Sequence, residues 1–209
     1  MRQAVILAAG KSTRCYPLTL TRPKVLLKVA NKTLIEHNLE QLNGIVGEVI
    51  IVIGYKKEMI KRLIGNKYKK INIKYVEQKQ QLGTANALLQ TKDLIKSNFV
   101  VLYGDDLYFK EDIKQFANEG YALLAAKTTD PKRFGIISLK KGFVEKIIEK
   151  PKNTKNNLAN CGVYFLDTSI FTIIKNLTKS KRGEYELTDA INEFAKKKRL
   201  RVVKAKQWL

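Results

Sequence analysis

Apolar residues in the first half of the chain fall in short strand-like segments that alternate with segments of helical periodicity. The strand-like segments occupy residues 4–9, 49–53, 71–76 and 99–103. Between them, apolar residues recur with helical spacing at Leu34, Leu39 and Leu42, at Ile60, Leu63 and Ile64, and at Ala85, Leu88 and Leu89. Strands that alternate with amphipathic helices are typical of βαβ units, so the pattern predicts an α/β fold with a mostly parallel sheet.

The second half of the chain has a different rhythm. Strand patterns at residues 121–127, 135–139, 143–149 and 161–166 follow one another without long helices between them. Helical patterns return at residues 168–176 and 187–198, before a last strand pattern at 200–205. This order predicts a small antiparallel elaboration that carries a second substrate.

The predicted topology places a ligand site at one edge of the sheet. Ligands of parallel α/β sheets bind beyond the carboxyl ends of the strands. We therefore expect the loops that follow Ala9, Val76 and Tyr103 to converge on one site.

The composition is typical of a globular chain with a strongly basic surface. Of its 209 residues, 44% are hydrophobic and 28% charged, and 40 Lys and Arg against 19 Asp and Glu give a net charge of +21. Because the lysines are spread along the chain, we favour a solvated surface that attracts small anions over a nucleic-acid-binding face. No apolar run approaches the roughly 20 residues of a membrane span. Cys15 and Cys161 form no disulfide framework, which indicates the cytoplasm.

A phosphate-binding loop is predicted where the first strand ends. Gly10 stops the apolar run, and Lys11, Ser12, Thr13 and Arg14 follow it. Glycine lets the backbone approach an anion, and successive backbone N–H groups beside cations suit a polyphosphate. The segment lacks the first glycine of a Walker A loop and the later glycines of the dinucleotide fingerprint. An ordinary solvated turn is the alternative.

Charged residues follow at two other positions near this edge. Lys24 follows Pro23 in a loop whose charges are all basic, which makes it a positioned cation for a phosphate oxygen. Asp105 and Asp106 end the strand pattern at 99–103, where a carboxylate beside a triphosphate can hold Mg²⁺. Since successive residues of a strand point in opposite directions, we expect only one of the two to face the site. A capping turn is the alternative.

A second loop offers groups that can bind a base. The Gln78 amide can both donate to and accept from the edge of a pyrimidine, and Gly83 permits close approach of a ring. Thr84 can cap the helix that follows. On the pattern alone, a plain loop with an N-cap explains these residues better.

A third group of residues can bind a phosphorylated sugar. Glu149 and Asn160 can form hydrogen bonds with hydroxyl groups, and Lys150 can bind a second phosphate. Taken alone, this group fits solvated loop chemistry equally well.

Together and in this order, these segments resemble the sugar-1-phosphate nucleotidylyltransferase family. The family's opening signature, L-A-A-G-x-G-T-R-x-x-P-L-T followed by P-K, is matched from Leu7 to Lys24, with Ser12 in place of the second glycine. The match continues at Gln78, Leu82-Gly-Thr, Gly104-Asp105, Gly135, Glu149-Lys-Pro, Asn160, Gly162 and residues 182–189. It is nearest the glucose-1-phosphate thymidylyl- or uridylyltransferase and N-acetylglucosamine-1-phosphate uridylyltransferase types.

The resemblance implies a Rossmann-like three-layer fold and a Mg²⁺-dependent transfer of a nucleotidyl group from UTP or dTTP to a sugar-1-phosphate. It implies one catalytic domain over residues 1–209, with a nucleotide-binding half at 1–120 and a sugar-phosphate-binding half at 121–209. It also implies that Arg14 stabilises the leaving phosphates, Lys24 the α-phosphate, and that Asp105 holds the metal. The implied nucleotide contacts are Leu7, Ala8, Ala9, Gly10, Gln78, Gly83 and Thr84, and the implied sugar-phosphate contacts are Gly135, Glu149, Lys150 and Asn160.

One departure concerns the end of the chain. Relatives carry a second metal-binding Asp in a W-x-D-x-G-like segment, whereas this sequence ends at Gln207-Trp-Leu, and it shows no hexapeptide repeats of a C-terminal β-helix. We therefore expect a folded chain that binds nucleotide but turns over poorly.

The remaining alternatives are a cytidylyltransferase for phosphocholine, a guanylyltransferase for mannose-1-phosphate, and a non-catalytic nucleotide- or RNA-binding protein. The sequence leaves the sugar, the choice between uracil and thymine, and a homo-oligomeric state open.

Overall fold

The computed structural model describes residues 2–206. The strands are β1 (Gln3–Ala8), β2 (Lys28–Val29), β3 (Lys32–Thr33), β4 (Glu48–Ile53), β5 (Lys67–Tyr68), β6 (Ile71–Glu77), β7 (Phe99–Tyr103), β8 (Ala122–Lys127), β9 (Gly135–Lys140), β10 (Phe143–Glu149), β11 (Leu158–Leu166) and β12 (Arg201–Lys204). The α-helices are α1 (Leu34–Leu42), α2 (Lys57–Ile64), α3 (Thr84–Leu89), α4 (Lys110–Glu119), α5 (Ser169–Lys175) and α6 (Leu187–Lys197).

One mixed sheet runs through the molecule in the order β10-β9-β11-β7-β1-β4-β6-β5, with β8 on β11 and β12 on β8. Its central strands β7, β1, β4 and β6 are parallel, and β11 joins them antiparallel to β7. The hairpin of β9 and β10 extends the sheet beyond β11. The predicted α/β fold with a mixed, mostly parallel central sheet and an antiparallel elaboration is confirmed.

The core lies on both faces of this sheet, which gives three layers. Every residue of β1 is buried. Ile6 belongs to the core cluster that contains Leu39, whereas Val5 belongs to the cluster that contains Leu88 and Phe194. Strands covered on both faces read as continuous apolar runs, which explains the sequence pattern. In the part of the chain that the structure describes, no helix is long and apolar enough to cross a membrane.

One helix was missed by the sequence pattern. Helix α4 spans Lys110–Glu119, and its buried positions include Ile113, Phe116 and the carboxylate-bearing Asp112. The backbone N–H of Lys206 donates to both oxygens of Asp112, at 3.1 and 3.3 Å. A polar residue therefore occupies the core-facing side of this helix, and the apolar stripe is too narrow to show a helical period.

A bulge in β11 forms the junction between the two parts of the sheet. Residues Leu158 to Asn160 pair with β8, pairing resumes at Tyr164, and the register shifts between them. Gly162 lies in this bulge with φ of +76°. A Cβ built on Gly162 would lie 2.3 Å from the Tyr103 ring at the end of β7. The bulge therefore packs backbone directly against the strand that delivers Asp105, and bulges commonly redirect side chains next to a site.

Gly162→Ala is expected to destabilise the fold by about 2–4 kcal/mol, because the left-handed backbone strain is added to a clash with Tyr103. Gly142→Ala is the matched control, since Gly142 has φ of +80° but an added Cβ would meet nothing within 4 Å. This control variant measures the cost of the left-handed backbone strain alone, which is about 1 kcal/mol. Urea unfolding of both variants measures the difference between their free energies of unfolding. Equal losses of stability in the two variants would contradict the packing of Gly162 against Tyr103.

Candidate functional site

The loop after β1 is anchored internally, while its cationic side chains Lys11 and Arg14 are exposed. Ser12 adopts φ of 52°, and its carbonyl accepts from Cys15 N and from the hydroxyl of the buried Thr19, both at 2.9 Å. The Tyr55 hydroxyl donates to the carbonyls of Thr19 and Leu20 at 3.1 and 2.9 Å. Lys11 and Arg14 are exposed. The loop thus has an internally anchored backbone that presents exposed cations, which suits an anionic ligand.

Lys24 and Asp105 form an ion pair across the carboxyl edge of the sheet. Lys24 Nζ donates to Asp105 Oδ2 at 2.9 Å, and both side chains are partly exposed. Desolvation lowers the pKa of the Lys24 ammonium, but the hydrogen bond and charge of Asp105 and the charge of Asp106 outweigh it, so the pKa is raised. Lys24 therefore remains cationic at neutral pH.

Asp106 differs from its neighbour. Desolvation by the surrounding protein raises its pKa to about 6, with a further contribution from the negative charge of Asp105. Asp106 as a whole is nevertheless exposed to solvent. Asp105 makes the ion pair with Lys24. That only one of the two carboxylates faces the site stays a prediction.

A buried amide on helix α1 holds this carboxylate loop. Asn38 is 1% exposed, and its Nδ2 donates to the carbonyls of Gly104 and Asp106 at 3.3 and 3.1 Å. Gly104 N donates to Leu7 O at 2.9 Å. These bonds fix the backbone on either side of Asp105.

The loop after β6 joins the same edge. Gln78 is buried, and its Nε2 donates to Gly83 O at 3.0 Å and to Asn86 Oδ1 at 2.9 Å. Gln81 Nε2 donates to Ala9 O at 2.9 Å, which ties this loop to the phosphate loop. The three loops predicted to converge after Ala9, Val76 and Tyr103 do so.

The expectation that Thr84 caps helix α3 is wrong. Gly83 is the N-cap residue, with φ of 108° and no side-chain cap. Thr84 Oγ1 instead accepts from Leu187 N at 2.9 Å. A Cβ on Gly83 would lie 2.5 Å from Tyr185 O, so the segment at 182–189 packs directly against this loop. The competing hydrogen bond to Leu187, which is distant in sequence, explains the error.

The predicted sugar-binding residues come together on the extension of the sheet. Gly135 pairs with Glu149 across β9 and β10. A Cβ on Gly135 would lie 3.0 Å from Glu149 Oε2 and 3.8 Å from Asn160 Cβ. Lys150 follows with φ of 44° and an exposed side chain, held by its backbone N–H on Phe134 O at 3.0 Å.

Two tyrosines, the buried Tyr164 and the partly buried Tyr103, link the two groups of residues. Asn160 Nδ2 donates to the Tyr164 hydroxyl at 2.7 Å. Desolvation raises the pKa of Tyr164 to about 12, although its hydrogen bonds with Asn160 and Tyr103 oppose the shift. Burial likewise raises the pKa of Tyr103, which also interacts with Thr84. The chain of contacts therefore runs from the Thr84 loop to Asn160.

Several residues of the site were missed from the sequence. They are Asn38, Gln81, Asn86 and Tyr164, whereas Tyr103 and Tyr185 lie in segments that the sequence pattern singled out without giving these two residues a role. Asn38 could have been found, because it interrupts the apolar stripe of an amphipathic helix, where a polar residue needs a buried partner. Gln81 lies among several glutamines with no pattern that distinguishes it from Gln78.

The chain is similar to known nucleotide-sugar enzymes. The model of the nucleotidyl transferase family matches residues 3–209. The chain is 40% identical over 208 residues to the bifunctional protein GlmU of Methanococcus maripaludis, covering 97% of this chain and 49% of that protein. It is 33% identical to UTP–glucose-1-phosphate uridylyltransferase AglF of Haloferax volcanii, covering 91% of this chain and 82% of that protein. The chain thus spans about half the length of GlmU.

Solved structures show the same architecture. A Bacillus anthracis protein assigned as a glucose-1-phosphate thymidylyltransferase, solved with sucrose, superposes with a TM-score of 0.89 at 29% identity over 100% of this chain and 88% of that one. UDP-glucose pyrophosphorylase complexed with UDP-glucose superposes with a TM-score of 0.87 at 26% identity, over 99% of this chain and 91% of that one. With the family match over nearly the whole sequence, these similarities show that the chain belongs to the nucleotidyl transferase family.

Proposed function

We propose that the chain transfers a nucleotidyl group from UTP or dTTP to a sugar-1-phosphate, with glucose-1-phosphate or N-acetylglucosamine-1-phosphate as acceptor. The observation that carries this proposal is the Lys24–Asp105 ion pair of 2.9 Å at the edge where the phosphate loop and the Gln78 loop meet. The Gly135, Glu149 and Asn160 group is joined to the same edge through Gly162 and Tyr103. An anionic nucleotide and a polar second substrate can thus bind side by side.

The reaction needs positioning and charge neutralisation rather than a protein nucleophile. A phosphate oxygen of the sugar-1-phosphate attacks the α-phosphorus and forms a new P–O bond. The bond from the α-phosphorus to the oxygen that bridges to the β-phosphate breaks, and pyrophosphate leaves with that electron pair. Holding two anionic reactants in line accounts for a large part of such catalysis, and fixed cations stabilise the developing charge.

The cations on the nucleotide side have separate roles in this proposal. Arg14 stabilises the β- and γ-phosphates that leave, and Lys24 stabilises the α-phosphate. Backbone groups of Leu7 to Gly10 approach the nucleotide, while Gln78, Gly83 and Thr84 contact the base. The fixed loop backbone supports these roles, because it limits the freedom of the cations before the nucleotide binds.

The residues present fit a divalent metal ion, which this family generally uses. No group of three His, Cys, Asp or Glu that could hold a metal occurs among residues 2–206, so phosphates and water would supply most ligands. Mg²⁺ binds in this way, through one or two carboxylates and substrate phosphates. Asp105 Oδ2 is shared with Lys24, which leaves Oδ1 for the ion. When bound, Mg²⁺ would neutralise charge on the phosphates.

The sugar-phosphate side completes the proposal. Glu149 and Asn160 bind hydroxyl groups near the backbone of Gly135, and Lys150 binds the phosphate of the acceptor. We likewise propose that residues 1–120 form the nucleotide-binding half and residues 121–209 the sugar-phosphate-binding half. The halves share one sheet, and the segment at 182–189 returns to the Gly83 loop.

The proposal is tested by a pyrophosphate-release screen of UTP, dTTP, CTP, GTP and ATP against several acceptors with Mg²⁺ present. We expect release with UTP or dTTP together with glucose-1-phosphate or N-acetylglucosamine-1-phosphate. Glu149→Gln should raise the KM for the sugar-1-phosphate more than the KM for the nucleotide. Release only from CTP with phosphocholine, or from GTP with mannose-1-phosphate, would replace the proposal with one of the alternatives.

A further inference from the structure

Two loops at the β10 end of the sheet form the walls of an open cavity. One loop joins β8 to β9 at residues 128–134, and the other joins β10 to β11 at residues 150–157. The cavity has a volume of about 510 Å³, within the range of roughly 300–1,000 Å³ that is typical of small-molecule sites. Its lining residues come from both loops and are Pro131, Lys132, Lys152, Asn153, Thr154 and Lys155.

Backbone hydrogen bonds tie these two loops to each other at both ends. Lys150 N donates to Phe134 O at 3.0 Å, where the second loop begins and the first one ends. Thr128 N donates to Asn157 O at 2.8 Å, where the first loop begins and the second one ends. Because each loop is held by the other at both of its ends, the cavity between them is a defined feature of the fold.

The cavity is lined by cations that lack a carboxylate partner in the described part of the chain. Lys132, Lys152 and Lys155 are exposed, and none of the three forms an ion pair there. No lining residue is acidic, and the two loops contain a single carboxylate side chain, that of Asp130. The Thr154 hydroxyl adds a hydrogen-bond donor. Such a lining attracts an anion, because a cleft with charges of one sign concentrates their field.

The cavity adjoins the residues that are proposed to bind the sugar. Gly135 directly follows the first loop, Glu149 directly precedes the second, and Asn160 lies three residues after it. A Cβ on Gly135 would lie 3.0 Å from Glu149 Oε2 and 3.8 Å from Asn160 Cβ, so these residues meet at the base of the loops. Further along β11, Gly162 packs against Tyr103, next to the reaction centre. A sugar at Gly135 would thus have the reaction centre on one side and the cavity on the other.

We propose that this cavity, which we call the lysine cavity, binds an anionic group on the acceptor sugar. The preferred acceptor is then a sugar-1-phosphate that carries a second phosphate or a carboxylate at the end away from its 1-phosphate. The inference rests on the proposed function, because it takes the sugar to lie against Gly135, and it adds the class of acceptor. An ammonium group binds phosphate or carboxylate oxygens as a point charge, and such charge-assisted hydrogen bonds are about twice as strong as neutral ones.

The test compares equilibrium binding of glucose-1-phosphate, glucuronate-1-phosphate and glucose-1,6-bisphosphate to the chain. The wild type should bind the bisphosphate at least about tenfold more tightly than glucose-1-phosphate, because the added phosphate gains charge-assisted hydrogen bonds. Glucuronate-1-phosphate should lie in between, since its carboxylate adds a single charge. Lys152→Ala combined with Lys155→Ala should reduce the preference for the bisphosphate to about threefold or less. Both lysines are exposed, so this double variant should keep the fold.

The matched control removes two lysines from the opposite end of the sheet. Lys67 in β5 and Lys70 just after it are exposed, and β5 and β10 are the two ends of the strand order. Lys67→Ala combined with Lys70→Ala changes the net charge of +21 by the same two units. This control should keep the preference for the bisphosphate, because the field of so many charges is altered little. Inorganic phosphate is titrated into all three proteins as the probe for a free anion.

The outcomes separate the lysine cavity from the proposed reaction. No preference for the bisphosphate in the wild type, or equal preference in the wild type and the cavity variant, would overturn the inference. Equal losses in the two double variants would overturn it as well, in favour of general attraction. Inorganic phosphate that needs Lys152 and Lys155 to bind, without a preference among the sugars, would overturn it in favour of a free anion.

Pyrophosphate release from UTP is measured on the same samples with each of the three acceptors. A preference for the bisphosphate that depends on Lys152 and Lys155, without release from any acceptor, would support the lysine cavity and contradict the proposed reaction. Release with glucose-1-phosphate, together with equal binding of all three sugars, would support the proposed reaction and overturn the lysine cavity.

Discussion

Asp105→Asn is expected to reduce Mg²⁺-dependent pyrophosphate release by about 10³-fold or more. A bound divalent ion contributes several kcal/mol to the stabilisation of phosphoryl charge, and each 1.36 kcal/mol changes the rate about tenfold. The asparagine amide can still accept a hydrogen bond from Lys24 through its oxygen. The variant can therefore keep a hydrogen bond from Lys24 while it removes the negative charge that would hold the metal.

The neighbouring carboxylate supplies the matched control for this prediction. Asp106→Asn makes the same chemical change one residue later, at a carboxylate outside the ion pair with Lys24. We expect less than a tenfold loss and an unchanged half-saturating Mg²⁺ concentration, whereas Asp105→Asn should raise that concentration. If Asp105→Asn keeps most of the activity, Asp105 acts only by positioning Lys24. If both variants lose activity equally, the metal is shared between them.

The strands of the central sheet could be predicted because burial on both faces leaves a direct trace in the sequence. Strand β7 has the predicted bounds, and the other central strands differ by a residue or two. Helix α4 could not be predicted in this way, because Asp112 faces the core and binds the backbone of Lys206. That contact joins positions 94 residues apart, and no local pattern indicates it.

The candidate site could be predicted in its parts but not in its internal bonds. The rule for parallel sheets brings the phosphate loop, the Gln78 loop and Asp105 to one edge, although Lys24 and Asp105 are 81 residues apart. The sequence indicated that Gln78 could both donate and accept at a base. The structure leaves only the acceptor free, because Gly83 O and Asn86 Oδ1 take the donors. Such a change of hydrogen-bond polarity depends on loop packing, which residue types alone do not specify.

The direct ligand roles of the individual residues stay predictions, because the relatives and the fold establish the family and not the contacts. Arg14 is the residue for which this matters most. It is exposed in the turn Thr13–Cys15 and has no carboxylate partner in the described part of the chain. Its side chain therefore contributes little to folding, and a loss of activity on its removal would report on the reaction.

Arg14→Ala is expected to lower kcat by about 10²–10³-fold, the usual cost of removing one fixed group that stabilises transition-state charge. Negative charge develops on pyrophosphate only as the bond to the α-phosphorus breaks, so kcat should fall more than the affinity for UTP. Arg14→Lys should give an intermediate rate, because an ammonium keeps the charge but cannot form the paired contacts of a guanidinium.

Lys11→Ala is the control that distinguishes a positioned cation from general attraction of anions. Lys11 is exposed in the same loop, and its removal changes the net charge of +21 by the same single unit. A field produced by so many charges is altered little by the loss of one, so we expect less than a tenfold effect on kcat/KM. Steady-state kinetics at two ionic strengths measure both variants. If they lose activity equally, and more salt removes the difference from wild type, the loop acts by attracting the nucleotide, and Arg14 has no separate role in the release of pyrophosphate.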